Sequence, residues 1–374
     1  MKFEKYDEAK VMLSEQLELK RKYYGPKNQK IAHKLLDLAV CLGRVGEIQK
    51  KYDYLVEAHQ IYKKTLPEDH SMWATLFNFL ASANIDKGEL ETAKQYLTQA
   101  LTISENAWGS KHHKCVSILR QFGDIYDKLG EYNEAKAYYQ RALRIKQRCN
   151  LSDNECCYLW ERLADGEFRL GNFEASRQYY SEALKVFKKV FGENHINIGL
   201  TSINLANIYS HLNDQSHQLE MITQTLKISK LQSTITEKNF RTLAAGIWFL
   251  PNSEAKLNLL QEALILSTGI LGEYHQANFQ FYRIMADVLG QFKNTEDLIP
   301  TLEKCLKIQK MGNENSSLER AKVEFLLSRA YVERKDFKKA QDHFNTASTL
   351  FDNILGPNNL FSAMCDRLKR RIIQ

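Results

Sequence analysis

The 374-residue sequence is poor in backbone breakers, with only 5 Pro and 17 Gly. That scarcity excludes collagen-like, mucin-like and disordered scaffolds, and it favours helices over β-sandwiches. Long apolar runs are missing too. The longest strongly apolar stretch, Leu243 to Leu250, is far short of the ~20 residues needed to cross a bilayer. Residues Met1 to Asp7 contain no apolar signal-peptide core. The 7 Cys are an odd number without disulfide-rich spacing, which places the chain in a reducing compartment. A cytoplasmic protein without membrane insertion is expected, whether resident or secreted as an effector into a host cytosol. The balance of 52 Lys+Arg against 45 Asp+Glu gives a mild +7 spread along the chain, which does not point to nucleic acid. Catalytic signatures are lacking: there is no Gly-rich phosphate loop after a strand, no nucleophile elbow, and no carboxylate pair distinct from charged helix faces. Neither an enzyme nor a cofactor is expected.

What the sequence does contain is a repeat. The segment Gly130 to Leu143 matches Gly88 to Leu101, 42 residues earlier, and Gly171 to Leu184, 41 residues later. A turn slot runs through Gly46, Gly88, Gly130, Gly171, Asn213, Pro251, Lys293 and Lys335, with spacings of 42, 42, 41, 42, 38, 42 and 42. Twelve positions after each slot stand Ala58, Ala100, Ala142, Ala183, Thr225, Ala263, Cys305 and Ala347. Eight units are visible, and Tyr6 to Gln16 supply part of a ninth, so the array opens on a second helix without its first.

Each unit reads as two antiparallel helices. In one first helix Ile118, Leu119, Phe122, Ile125, Tyr126 and Leu129 continue a single apolar face. Gly130 ends it, because glycine reaches the left-handed cap conformation without a side-chain penalty. The second helix repeats Tyr132, Ala135, Tyr139 and Ala142 at intervals of three or four, with small residues where a neighbouring helix approaches. One hairpin cannot bury its apolar face alone, whereas a stack buries a continuous core. Between units lie Gly25-Pro26-Lys27-Asn28, Pro67-Glu68-Asp69-His70, Gly192-Glu193-Asn194-His195, Gly272-Glu273-Tyr274-His275 and Gly356-Pro357-Asn358-Asn359. The fold class predicted is all-α: a right-handed superhelical solenoid of antiparallel helix pairs.

The 42-residue period, the Gly-x-x-His loop and first helices such as Ser202-Ile203-Asn204-Leu205-Ala206-Asn207-Ile208-Tyr209 resemble the tetratricopeptide repeats of the kinesin light chain family. The resemblance covers nearly the whole chain. No heptad-rich segment resembles the family's motor-binding part, so a motor subunit is not expected. The organisation expected is a partial repeat at 1–24, regular repeats over 25–210, an irregular repeat or hinge at 211–252, and degenerate repeats with a capping helix over 253–374. At 211–252 the turn glycine is lost, one spacing falls to 38 and Pro251 takes the turn slot.

In such an array the first helices line the inside of the superhelix. Alignment on the turn slot puts Asn78, Arg120, Asp124, Arg162, Asp165, Asn204, Asn207, Arg241, Arg283, Asp287 and Arg329 on that face. Arginine offers carboxylates a planar bidentate fork, and asparagine can clamp a peptide backbone with one donor and one acceptor. The resemblance implies a groove for extended peptides, often aromatic among acidic residues, with Asn78, Asn204 and Asn207 as its asparagines. The expected partner is therefore a protein or peptide segment of acidic character. The same residues also permit a plainer reading, in which Arg120 pairs with Asp124 and Arg162 with Asp165 along one helix. A regulatory or sensor domain of a larger signalling or effector protein is the alternative to an adaptor or scaffold. A nucleic-acid solenoid would need a continuous basic stripe, which Asp124, Asp165 and Asp287 interrupt. Homo-oligomerisation through the groove stays open.

Trp73, Trp108 and Trp160 fall at core spacing. Trp248 and Phe249 precede Pro251 on the irregular first helix, as an apolar pocket or as filler of the register defect. His70, His195 and His275 share one loop slot, which makes them caps or packing residues rather than metal ligands. His112, His113 and Cys115, and likewise Cys149, Cys156 and Cys157, lack a partner motif, so no metal is expected. The run Arg367 to Arg371 reads as a solvated helix end.

Overall fold

A computed structural model describes residues 2–149, 154–231, 236–312, 318–356 and 361–373. Eighteen α-helices and no strand occur among them. The chain separates into two compact units, Met1–Val186 and Phe187–Gln374.

In the first unit, α1 (Lys2–Tyr24) is the unpaired opening helix. Hairpins follow: α2 (Gln29–Val45) with α3 (Ile48–Thr65), α4 (Met72–Lys87) with α5 (Leu90–Trp108), α6 (Cys115–Leu129) with α7 (Tyr132–Arg148), and α8 (Asn154–Arg169) with α9 (Phe173–Phe191), whose last turn enters the second unit. The second unit continues with α10 (Ile196–His211) and α11 (Gln215–Leu231), α12 (Glu237–Trp248) and α13 (Glu254–Leu271), α14 (Gln276–Gln291) and α15 (Thr295–Met311), then α16 (Leu318–Glu333) and α17 (Phe337–Leu355). The end helix α18 (Ser362–Ile373) buries Cys365, Leu368 and Ile372 and leaves Arg367, Lys369, Arg370 and Arg371 exposed.

The turn slot does physical work at every position except one. Gly46, Gly88, Gly130 and Gly171 adopt φ of 79 to 89°, and Asn213, Lys293 and Lys335 are held at 54 to 62° despite their side chains. Pro251 cannot follow, since its ring locks φ near −65°. There α12 is only 12 residues long, against 15 to 17 in the other first helices, so the missing residues amount to about one helical turn. Lys256 caps the shortened helix: its Nζ donates to Trp248 O and Leu250 O, both at 2.8 Å, and to Asn252 Oδ1 at 3.0 Å. Lys256 as a whole is 4% exposed, and burial lowers its pKa while Asp287 opposes that shift.

Small residues mark where helices touch. Ala58, Ala100, Ala142, Ala183, Thr225, Ala263, Cys305 and Ala347 are all buried. The shared loop slot sits at a helix start, and is itself the N-cap at Asn28, His195 and His275. Asn28 Oδ1 accepts from Lys30 N at 2.9 Å, and Nδ1 of His70, His112, His195 and His275 accepts from the backbone N–H two residues on at 3.2 to 3.3 Å. Of the segment Gly356-Pro357-Asn358-Asn359, only Gly356 lies within the described residues.

Candidate functional site

In the first unit the predicted residues stand on α4, α6 and α8. Arg120 Nη1 pairs with Asp124 Oδ2 at 2.9 Å, and its Nε lies 3.6 Å from Glu155 Oε1. Arg162 pairs with Asp165 at 3.2 Å and lies 3.9 Å from Asp127. Both guanidiniums approach the Tyr158 ring, at 5.4 and 5.1 Å from its centroid. Asp124 Oδ1 accepts from Tyr139 OH and Tyr158 OH, each at 2.8 Å. Asp165 accepts from Tyr180 OH. Burial, followed by the neighbouring Asp124, pushes the pKa of Tyr139 and Tyr158 upward, so both phenols remain donors.

A cavity of about 590 Å³ opens beside this network, walled by α2, α3, α4, α5 and α6. Gln121 Nε2 donates to Asn78 Oδ1 at 2.9 Å. That leaves Gln121 Oε1, like Ser104 Oγ, buried without a partner at the cavity wall. Lys51 donates to Asp86 Oδ2 at 2.7 Å and Ser82 Oγ at 2.9 Å. Arg44 and Lys114 also line the cavity, and Lys114 sits 3.8 Å over the Trp108 ring. The sequence reading missed both cations, because they lie outside the first-helix positions that recur.

In the second unit Asn204 and Asn207 stand on α10, Arg241 and Trp248 on α12, Arg283 and Asp287 on α14, and Arg329 on α16. Asn204 is half-buried. Asn207 Oδ1 is buried without a hydrogen bond, and Gly246 on α12 leaves room for it. Arg241 pairs with Glu237 at 2.5 Å, Arg283 with Glu319 at 3.4 Å and Arg329 with Glu333 at 3.6 Å. Each of the five recurring arginines in the chain therefore has a carboxylate within ion-pair distance. Arg283 also stacks 4.8 Å over Trp248.

Trp248 is 40% and Phe249 54% exposed. Trp248 borders two cavities, of about 730 Å³ and 570 Å³, and Phe249 lines the second with Arg241 and Arg283. Asp287 and Arg329 line the first. Burial raises the Asp287 pKa, and Arg283 and Lys256 only partly offset this. Among the described residues no group of three or more His, Cys, Asp or Glu could hold a metal, and no helix is long and apolar enough to cross a membrane.

A family profile described as tetratricopeptide repeat matches residues 73–148 and 155–230. The chain is 22% identical over 342 residues to Protein KINESIN LIGHT CHAIN-RELATED 2 of Arabidopsis thaliana, covering 87% of this chain and 51% of that relative. It thus spans about half the length of the curated relative it matches. Among solved structures, BtubC (BKLC) from P. vanneervenii superposes with a TM-score of 0.54 at 17% identity, covering 62% of this chain and 93% of that one. A signal transduction ATPase with numerous domains and a tetratricopeptide repeat sensor, from Pyrococcus horikoshii, gives 0.56 at 14% identity, covering 92% of this chain and 55% of that one. With paired helices throughout both units and the repeat profile over residues 73–148 and 155–230, the chain is an interaction module of the tetratricopeptide-repeat type, related to arrays of the kinesin light chain type.

Proposed function

We propose that the chain is a regulatory or sensor array that captures an extended segment of a partner polypeptide, with the first unit reading acidic side chains. The carrying observation is the 590 Å³ cavity at α4 and α6. Its wall holds four basic residues, Arg44, Lys51, Lys114 and Arg120, against one acid, Asp86, together with the unpartnered Gln121 Oε1 and Ser104 Oγ. Arg120 and Lys51 are already neutralised. Arg44 and Lys114 are the cations left to meet a ligand carboxylate, while Asn78, Gln121 and Ser104 supply backbone-compatible hydrogen bonds. The sensor role is supported by the array of the signal transduction ATPase, whose solved chain aligns with 92% of this one.

The test is a peptide-display selection at physiological salt, comparing the natural chain with Arg44→Glu/Lys114→Glu and with Arg162→Glu/Asn204→Ala. Acidic peptides should be enriched, and both double variants should weaken them, Arg44→Glu/Lys114→Glu the more. Enrichment of peptides without acidic residues, or indifference to Arg44→Glu/Lys114→Glu, overturns the acidic reading. A selected peptide should also change the radius of gyration in small-angle scattering, whereas an unchanged profile at saturation argues for a passive scaffold.

A further inference from the structure

Three first helices carry an aspartate six residues before the turn slot: Asp124, Asp165 and Asp287. Nine residues after the slot, the partner helix carries Tyr139, Tyr180 and Leu302 respectively. In the first two repeats the phenol from that position donates to the aspartate, Tyr139 to Asp124 at 2.8 Å and Tyr180 to Asp165. Leu302 is 1% exposed and has nothing to donate. Among the described residues no hydrogen bond or ion pair reaches the Asp287 carboxylate.

The nearby cations do not fill the gap. Lys256 spends its three donors on Trp248 O, Leu250 O and Asn252 Oδ1. Arg283 is engaged by Glu319 and the Trp248 ring, and Arg329 by Glu333. Asp287 instead lines the 730 Å³ cavity, whose apolar wall is Trp248, Ile284, Leu298 and Leu326.

We propose that this cavity takes a tyrosine side chain of a bound polypeptide segment, its phenol donating to Asp287 in place of the internal tyrosine that this repeat lacks. The chain itself shows twice that this carboxylate position accepts a phenol, beside an arginine of its own helix. Charge decides against cationic donors: the wall carries Lys256, Lys293 and Arg329 against Asp287 and Glu333, so a cationic head would enter a net positive site. A ligand carboxylate would face Asp287 with no proton to give. Phenylalanine would fill the apolar part but desolvate Asp287 without pairing it. The inference rests on the capture of a partner segment only in assigning the tyrosine to such a segment.

The experiment titrates N-acetyl-L-tyrosinamide and N-acetyl-L-phenylalaninamide separately into the full chain, following the Trp248 indole N–H by NMR and assigning it with Trp248→Phe. Tyrosinamide should shift that signal and bind about tenfold or more tightly than phenylalaninamide. The preference should vanish in Asp287→Leu, and in Leu302→Tyr, which supplies the donor from within. Ala286, the residue before Asp287, matches Ala164 before Asp165, so the Tyr180 repeat, rather than the Gly123–Tyr139 repeat, is the template for Leu302→Tyr. Equal affinities, no shift with either probe up to its solubility, or a preference that survives Asp287→Leu each overturn the proposal. The probes need no partner, so tyrosinamide binding without any selected peptide would separate this site from the capture of acidic segments.

Discussion

Gly123 and Gly166 invite the same substitution with opposite outcomes. A Cβ on Gly123 would lie 2.4, 2.6 and 2.7 Å from Cε1, Cδ1 and Cζ of Tyr139, whereas one on Gly166 would meet nothing within 4 Å. The Tyr139 ring is clamped: it is buried, and Asp124 holds its hydroxyl at 2.8 Å. In Gly123→Ala the ring must move by about an ångström. That incurs overpacking of about 1–3 kcal/mol and loss of a hydrogen bond to a charged group worth about 1.5–3 kcal/mol. The better helix propensity of alanine returns about 1 kcal/mol. The net expectation is a loss of about 1.5–5 kcal/mol for Gly123→Ala and a gain of about 1 kcal/mol for Gly166→Ala, combining the same ranges. Because repeat arrays need not unfold in one step, the assay is native-state hydrogen exchange of α6, α7 and α8 amides alongside urea denaturation. If Gly123→Ala is as stable as Gly166→Ala, the clamped Tyr139–Asp124 contact is wrong.

Three further substitutions test the irregular turn slots. Lys256→Met leaves Trp248 O and Leu250 O without their donor and should destabilise the second unit by about 2–4 kcal/mol, read from urea unfolding followed by Trp248 fluorescence; an unchanged midpoint would deny Lys256 its capping role. Lys293→Gly and Lys335→Gly remove side chains held at φ 54° and 62°, and each should raise stability by about 0.5–1 kcal/mol in thermal melts, whereas a lowered Tm would mean that those lysines contribute contacts outweighing the backbone strain.

Much of the architecture was readable because a stacked hairpin imposes one register on every copy. The turn slots, the small residues twelve positions on and the loop histidines all recur at that period, and they appear as αL turns, buried contacts and acceptors at helix starts. The site was less readable, because recurrence of a residue type says nothing of its charge balance. Arg120 and Arg329 find acids four residues along the same helix. Arg283 finds Glu319 thirty-six residues away, on the next first helix, a pairing that no local pattern displays. Arg44 and Lys114 escaped notice because they sit near helix ends rather than at the recurring positions. The tyrosine-to-aspartate bonds do leave a trace, a constant offset of fifteen residues from Asp124 to Tyr139 and from Asp165 to Tyr180. Its failure at Leu302 becomes meaningful only once the carboxylate of Asp287 is seen lining a cavity. Lys256 was hidden for a similar reason, since a lysine on a second helix reads as solvent-facing until Pro251 forces α12 to end early.

The central claim is that partner segments are held on the first helices of the array. Its most direct measurement is photo-crosslinking of peptides from the display selection, followed by mass-spectrometric location of the linked residues. Crosslinks on α2, α4, α6, α8, α10, α12, α14 or α16, clustered around Asn78, Lys114, Asn204 and Trp248, are the predicted result. Crosslinks confined to second helices such as α7, α11 and α17, or to α18, would contradict it.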